Sequence, residues 1–278
     1  MKYSLLLLFS LITYNFVIYS QVDSVASVDH SKITLSTDIV PQWKVQMEVG
    51  GSCWYTEFDY YFLPGSEYES AITYYNLRLN NPSLAFRLGV FKNVELRLGF
   101  VFAQEFNGNL PDRPGYFEIR NGYYSGAPIE AGIKVKLLEE SKVIPSAAVK
   151  ADIFIPAGNF YFHMDYVSPV FRLMLQKNIS KNFGVGVNAG YGWNVYDSFT
   201  EKYGSYSLSL NANISRKVGA YAESFSYFQN GSVPDHRIGA GLTYHFAKNV
   251  MAVVQGGFGI SERAPDMFGS GGIGFMFP

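Results

Sequence analysis

Hydrophobic and polar residues alternate along most of this chain with a period of two. From Phe183 the odd positions read Phe183, Val185, Val187, Ala189, Tyr191 and Trp193, while the even ones read Gly184, Gly186, Asn188, Gly190, Gly192 and Asn194. From Ser205 one face is Tyr206, Leu208, Leu210, Ala212 and Ile214, and the other is Ser and Asn. From Arg237 one face carries Ile238, Ala240, Leu242, Tyr244 and Phe246, and the other Arg237, Gly239, Gly241, Thr243 and His245. A helix cannot sort residues at this period, whereas a strand sends successive side chains to opposite faces.

Twelve segments carry the pattern: Trp43–Trp54, Ser83–Val90, Val94–Ala103, Ala127–Leu138, Ile144–Ile155, Ser168–Asn178, Phe183–Asn194, Tyr203–Ile214, Val218–Tyr227, His236–Phe246, Val250–Ile260 and Phe268–Phe277. Most have the roughly 9–11 residues that a tilted strand needs to cross a bilayer. The ninth is ambiguous, because Tyr221, Glu223 and Phe225 share one face while Val218, Ala220 and Ala222 share the other.

The links between segments alternate in length. Phe91–Asn93, Glu139–Val143, Ile179–Asn182, Ser215–Lys217 and Ala247–Asn249 are tight, and Tyr55–Pro82, Gln104–Gly126, Pro156–Val167, Val195–Lys202, Phe228–Asp235 and Ser261–Met267 are longer. Outer-membrane barrels have short periplasmic turns and longer extracellular loops. The predicted fold is therefore all-β: a transmembrane antiparallel β-barrel of about 12 strands, with both termini periplasmic. Closure of the last strand onto the first satisfies every backbone hydrogen bond in lipid and leaves no edge.

The N-terminus fits export. Met1-Lys2 is basic, Leu5 to Ile12 is apolar, and Ser20 is a small residue before Gln21, which reads as a signal peptide over residues 1–20. Residues 21–41 are polar and read as a periplasmic N-terminal tail or an inward plug, and 42–278 as the barrel in the outer membrane. The single cysteine, Cys53, excludes an intrachain disulfide and lies too far along to carry a lipid anchor. Aromatics at 17% exceed charged residues at 16%, as suits a surface facing lipid, although composition alone suits a soluble sandwich too. A net charge of −1 leaves no footprint for nucleic acid.

Several segments resemble a known family, the outer-membrane transporter barrels named for the meta-cleavage pathway of phenol degradation. They are Phe86-Arg87-Leu88-Gly89-Val90-Phe91-Lys92-Asn93-Val94-Glu95-Leu96-Arg97-Leu98-Gly99, Gly132–Glu140, Ile144–Gly158, Asn182–Tyr191, Tyr206–Glu223 and His236–Tyr244. The resemblance runs from about Gln42 to Phe277 and rests on the order of the pieces. It implies a small-molecule channel, with apolar or aromatic compounds as its solutes, and assigns no binding residue. Barrels of this kind commonly end on an aromatic that the barrel assembly machinery reads in the last strand; this chain ends Phe277-Pro278.

Alternation places a charge set on the inner wall. Lys44 and Glu48 fall inside on the first segment, Arg87 on the second, Glu95 and Arg97 on the third. Glu130, Lys134 and Lys136 follow on the fourth, Lys150 and Asp152 on the fifth, and Arg172 on the sixth. They read either as a salt-bridge ladder or as a selectivity lining. The opposite half is lined by Gly, Ser, Asn and Gln, with Asn188, Arg237 and His245 among its inward residues. Twelve strands give a backbone radius of roughly 12 Å, and a bore of roughly 5 Å radius where Gly dominates.

The long links are aromatic, with Tyr74, Tyr75, Phe106, Tyr123, Tyr124, Phe160, Tyr161 and Tyr166 among them. They read as an interfacial girdle or as a vestibule that stacks rings. A lipid hydrolase would need an outward Ser beside a His. None of His30, His163, His236 and His245 has such a neighbour by sequence, so no catalytic residue is expected. No metal-ligand spacing or phosphate loop is present, and no cofactor is expected. The expected partners are outer-membrane lipid, a small-molecule solute and the assembly machinery. The expected function is passive passage of that solute. The alternative is a structural or adhesive barrel whose loops bind a partner or glycan.

Overall fold

The computed structural model describes residues 34–60, 72–109, 118–158, 165–195 and 200–277. Thirteen strands occur in chain order: β1 (Val45–Tyr60), β2 (Ile72–Phe91), β3 (Val94–Asn109), β4 (Glu118–Gly126), β5 (Ile129–Leu138), β6 (Ser146–Ile155), β7 (Ser168–Asn178), β8 (Phe183–Val195), β9 (Thr200–Asn213), β10 (Val218–Gln229), β11 (Asp235–Ala247), β12 (Val250–Gly259) and β13 (Met267–Phe277). The described pairs are all antiparallel. β1 closes on β13 with Val45 opposite Phe277 and Tyr55 opposite Met267.

Pro128 explains why thirteen strands make twelve places in the wall. It has no N–H to give a ladder, and β4 and β5 flank it. β5 pairs with the lower part of β3, from Val94 to Gly99, and β4 with the upper part, from Phe102 to Asn109. Together they occupy one position.

Two links expected to be loops are largely strand. β2 begins at Ile72 and runs through Pro82, where its register against β3 shifts between Asn80 and Ser83. A bulge is the place where a sheet tolerates proline. Above Tyr55, β1 pairs only with β2, so β1 to β4 rise past the rim as a narrow sheet. Tyr74, Tyr75, Phe106, Tyr123 and Tyr124 therefore belong to strands, not loops. Residues 1–20, read in sequence as a signal peptide, residues 21–33 with His30, and His163, Phe160, Tyr161 and Pro278 lie outside the described residues.

Burial is inverted relative to a water-soluble protein. On β3, Leu96, Leu98, Phe100 and Phe102 are exposed, while Glu95 and Arg97 are buried. On β9, Leu208 and Leu210 are exposed, while Ser207 and Ser209 are buried. The ambiguous ninth segment resolves the same way: Tyr221, Glu223 and Phe225 are buried inside. Apolar side chains outward and polar ones inward are what lipid demands, since a charge at mid-bilayer depth costs about 2–4 kcal/mol.

Candidate functional site: the lumen and the segment inside it

The chain before β1 runs inside the barrel. Thr34, Leu35, Thr37 and Val40 are all buried. Their partners are inward side chains from around the wall. The Thr34 backbone N–H donates to Glu223 Oε2 at 3.0 Å, and that of Val40 to Glu95 Oε2 at 2.8 Å. The Thr37 and Ser146 hydroxyls lie 2.8 Å apart, and the Asp38 carbonyl accepts from Arg87 at 3.3 Å. With its amide suitably oriented, Asn188 accepts from Leu35 N at 2.6 Å and donates to Leu35 O at 3.2 Å.

Apolar contacts fix the same path. Val40 packs with Tyr221, Met251, Val253 and Met276, and Leu35 with Ala148 and Met174. The segment descends from the middle of the lumen, beside Glu223 on β10, to the short-turn end, where Glu95 opens β3. There it leaves across Gly89, where a Cβ would stand 2.2 Å from the Pro41 carbonyl oxygen, so only glycine admits the crossing. Trp43 takes a left-handed conformation, φ 61°, as the chain turns into β1. That strain costs on the order of 1–3 kcal/mol and marks a forced reversal.

The charged residues of β1 to β7 form two clusters. In the first, Arg87 reaches Glu48 at 3.0 Å and holds both oxygens of Glu95 at 3.0 Å, while Arg97 donates to Glu95 at 2.7 Å. Gln46 completes Glu48 at 2.9 Å. Arg87, Glu48 and Glu95 are wholly buried, as is Lys134, which stands opposite Glu95 in register. In the second, Lys150 bridges Glu130 at 2.7 Å and Asp152 at 2.9 Å. Arg172 lies opposite Lys150 in register, beside this second cluster.

Three of the sequence-predicted residues sit elsewhere. Lys136 pairs with Glu139 at the short-turn end, 2.6 Å away. Arg237 pairs with Asp235 near the other rim and lies over the Phe225 and Tyr227 rings. His245 sits low on β11, where its backbone N–H meets the Lys217 carbonyl.

The half that alternation left roomy is partly filled. The Tyr221 ring lies where a Cβ on Gly241 would be, 2.5 Å away, and Phe268 covers Gly239 and Gly257 likewise. Met251, Val253 and Met276 also point inward and are buried. The roughly 5 Å bore expected from glycine content is therefore occupied by neighbouring rings and by the N-terminal segment. In sequence residues 21–41 read only as a tail or an inward plug, and the contacts of residues 34–41 follow no period.

One serine–histidine contact was missed. Ser226 and His236 are register partners on the outward face, and the Ser226 hydroxyl bonds His236 Nδ1. Ser226 is only 1% exposed, beneath the stacked Tyr206 and Phe228 rings, and among the described residues no carboxylate contacts His236. The contact ties β10 to β11. Among the described residues no group of His, Cys, Asp and Glu is placed to hold a metal ion.

The fold has solved counterparts. The crystal structure of an outer membrane channel from Pseudomonas putida F1 is similar at 10% identity, over 91% of this chain and 100% of that one, with a TM-score of 0.61. The NanC porin gives 12% identity, 84% and 99% coverage and a TM-score of 0.47. The toluene transporter TodX of Pseudomonas putida gives 8% identity, 92% and 94% coverage and 0.45. No curated protein matches this chain. At 10% identity the likeness to the first of these structures is one of fold alone. A family model matches residues 66–277, which include every strand from β2 to β13, and the chain belongs to that family, described as "Putative MetA-pathway of phenol degradation".

Proposed function

We propose that this protein is a channel for a small solute across the outer membrane, closed at rest by its own N-terminal segment. The carrying observation is how residues 34–41 are held. They bond to side chains of the wall, through Glu223, Glu95, Gln176 and Ser146, and join no strand ladder beyond the single bridge from Gln42 to Gly89. A segment fastened by a few side-chain hydrogen bonds, each of about 0.5–1.5 kcal/mol, can leave without unpairing the barrel. In this reading residues 1–20 are an export signal, the short turns face the periplasm, and both termini lie on that side. The family description points to small aromatic compounds or their products as solutes.

The test is planar-bilayer conductance and liposome swelling. The natural chain is compared with a variant lacking residues 34–40. Removal is expected to raise conductance several-fold and admit solutes that the natural chain excludes, with the barrel still assembled. If both proteins stay equally closed, passage is not the function, and the structural or adhesive barrel takes its place.

A further inference from the structure

A cavity of about 240 Å³ lies in the lumen against β3, β5, β6, β7 and β9. Its polar lining is Arg97, Glu130, Lys150, Asp152, Arg172 and Tyr203, and Leu35 of the N-terminal segment closes one side.

The charges of this lining are unevenly satisfied. Lys150 holds two carboxylates, Glu130 and Asp152, and Arg97 bonds Glu95. Arg172, by contrast, donates to no acceptor among the described residues. Its register partner on one side is Lys150, a like charge, and on the other Gly190, followed by Ser205. Like charges directly opposite each other across two strands are destabilising. Arg97 is held by Glu95 from outside the lining and Lys150 by both of the lining's carboxylates, so Arg172 is the one cation of the lining without a hydrogen-bonded acceptor among the described residues. Beside it the Tyr203 ring packs over Gly192, and the Tyr203 hydroxyl likewise has no hydrogen-bond partner among the described residues.

We propose that this cavity binds a small organic carboxylate, which takes the paired N–H donors of Arg172 and the hydroxyl of Tyr203 and lays its planar part against the Tyr203 ring. A guanidinium offers two parallel donors at the spacing of a carboxylate, and such charge-assisted pairs are roughly twice as strong as neutral ones. A carboxylate supplies the acceptor that Arg172 lacks, because both lining carboxylates are taken by Lys150. A cation would meet carboxylates already engaged by Lys150. The inference rests on reading the lumen as a solute path, but binding is measurable without transport.

Equilibrium dialysis of the full chain in detergent with labelled benzoate tests it. The expected result is saturable binding of one benzoate per chain. Benzamide, of the same shape without the charge, should compete at least tenfold more weakly. Arg172→Gln should weaken benzoate binding at least tenfold, and Lys92→Gln, which removes a surface charge in the β2–β3 turn, should leave it unchanged. Mobility on unboiled gels reports whether each variant assembles. If Arg172→Gln does not assemble, Tyr203→Phe carries the test, with a loss of at least threefold. No saturable binding, equal affinity for benzamide, or full binding in the assembled variants overturns the proposal. So does chloride displacing benzoate as well as acetate does, because the site would then take any anion. Binding without passage contradicts the channel reading and leaves this one standing; passage without binding does the reverse.

Discussion

In β1 to β7 the inward side chains include the buried charged clusters, while in β8 to β13 they are mostly small, with the rings of Tyr203, Tyr221 and Phe268 laid over glycines and Met251 and Met276 buried among them. Both halves fill a closed barrel, and they depend on different things. The charged half needs every partner. Arg87 serves two carboxylates, and those carboxylates are as deeply buried as the guanidinium. Removing one member strands the others as buried, unpaired charges, a cost that exceeds the worth of the intact pair. The glycine half depends on shape. Tyr221 occupies the room that Gly241 leaves, and its hydroxyl donates to Gln255 at 2.7 Å. A misfit there can relax by moving a ring.

Substitutions in each half should therefore differ in size. Arg87→Met should be the most damaging, at about 3–5 kcal/mol, because Glu48 and Glu95 lose their shared cation. Heat stability of the folded band on gels reads the loss. If the loss is no larger than that of an exposed Arg, the network contributes little. Gly241→Val should cost about 1–3 kcal/mol by overpacking, through displacement of Tyr221 and loss of its bond to Gln255. A Tyr221→Ala change in the same background should recover part of that cost. Failure to recover would place the clash in the backbone.

The smallest effect lies outside the membrane, in the turn between β5 and β6. There the Asn178 backbone N–H, 2.9 Å away, and the nearby Lys177 hold the Glu140 carboxyl below the usual carboxylate range. A depressed value in the folded state means that this contact stabilises above the ordinary Glu value, about 4.3, and is lost as pH falls through the folded value. Glu140→Gln should lower stability slightly at neutral pH, toward the value the natural chain has in acid, and so flatten the acid limb when heat stability on gels is followed against pH.

The two halves were not equally legible in sequence. Alternation alone set Arg87, Glu95, Arg97, Lys134, Lys150 and Asp152 on the inner wall, because a strand fixes the face of each residue. It says nothing of height along the wall or of which ring bends over which glycine, so Tyr203 over Gly192 and Phe268 over Gly257 could not be read. In sequence Pro82 closed a long link and Pro128 lay within the single segment Ala127–Leu138. In the structure one sits beside a bulge and the other splits a single wall position into β4 and β5. Residues 34–41 were legible only as a polar stretch, a tail or a plug. Their course is set by wall residues distant in sequence, such as Glu223, which is 189 positions from Thr34. The outward Ser226–His236 contact needed the register of β10 against β11.

If the N-terminal segment closes the lumen, it must leave for a solute to pass. Thr37 and Ser146 place hydroxyls 2.8 Å apart, one on the segment and one on β6. Cysteines at both positions, with Cys53→Ser removing the natural thiol, would lock the segment to the wall when oxidised. The measurement is bilayer conductance of this one protein before and after reduction. The channel is expected to be closed when oxidised and to recover the Cys53→Ser protein's conductance on reduction. Equal conductance in the two states, with the cross-link verified by mass, would contradict closure by the segment.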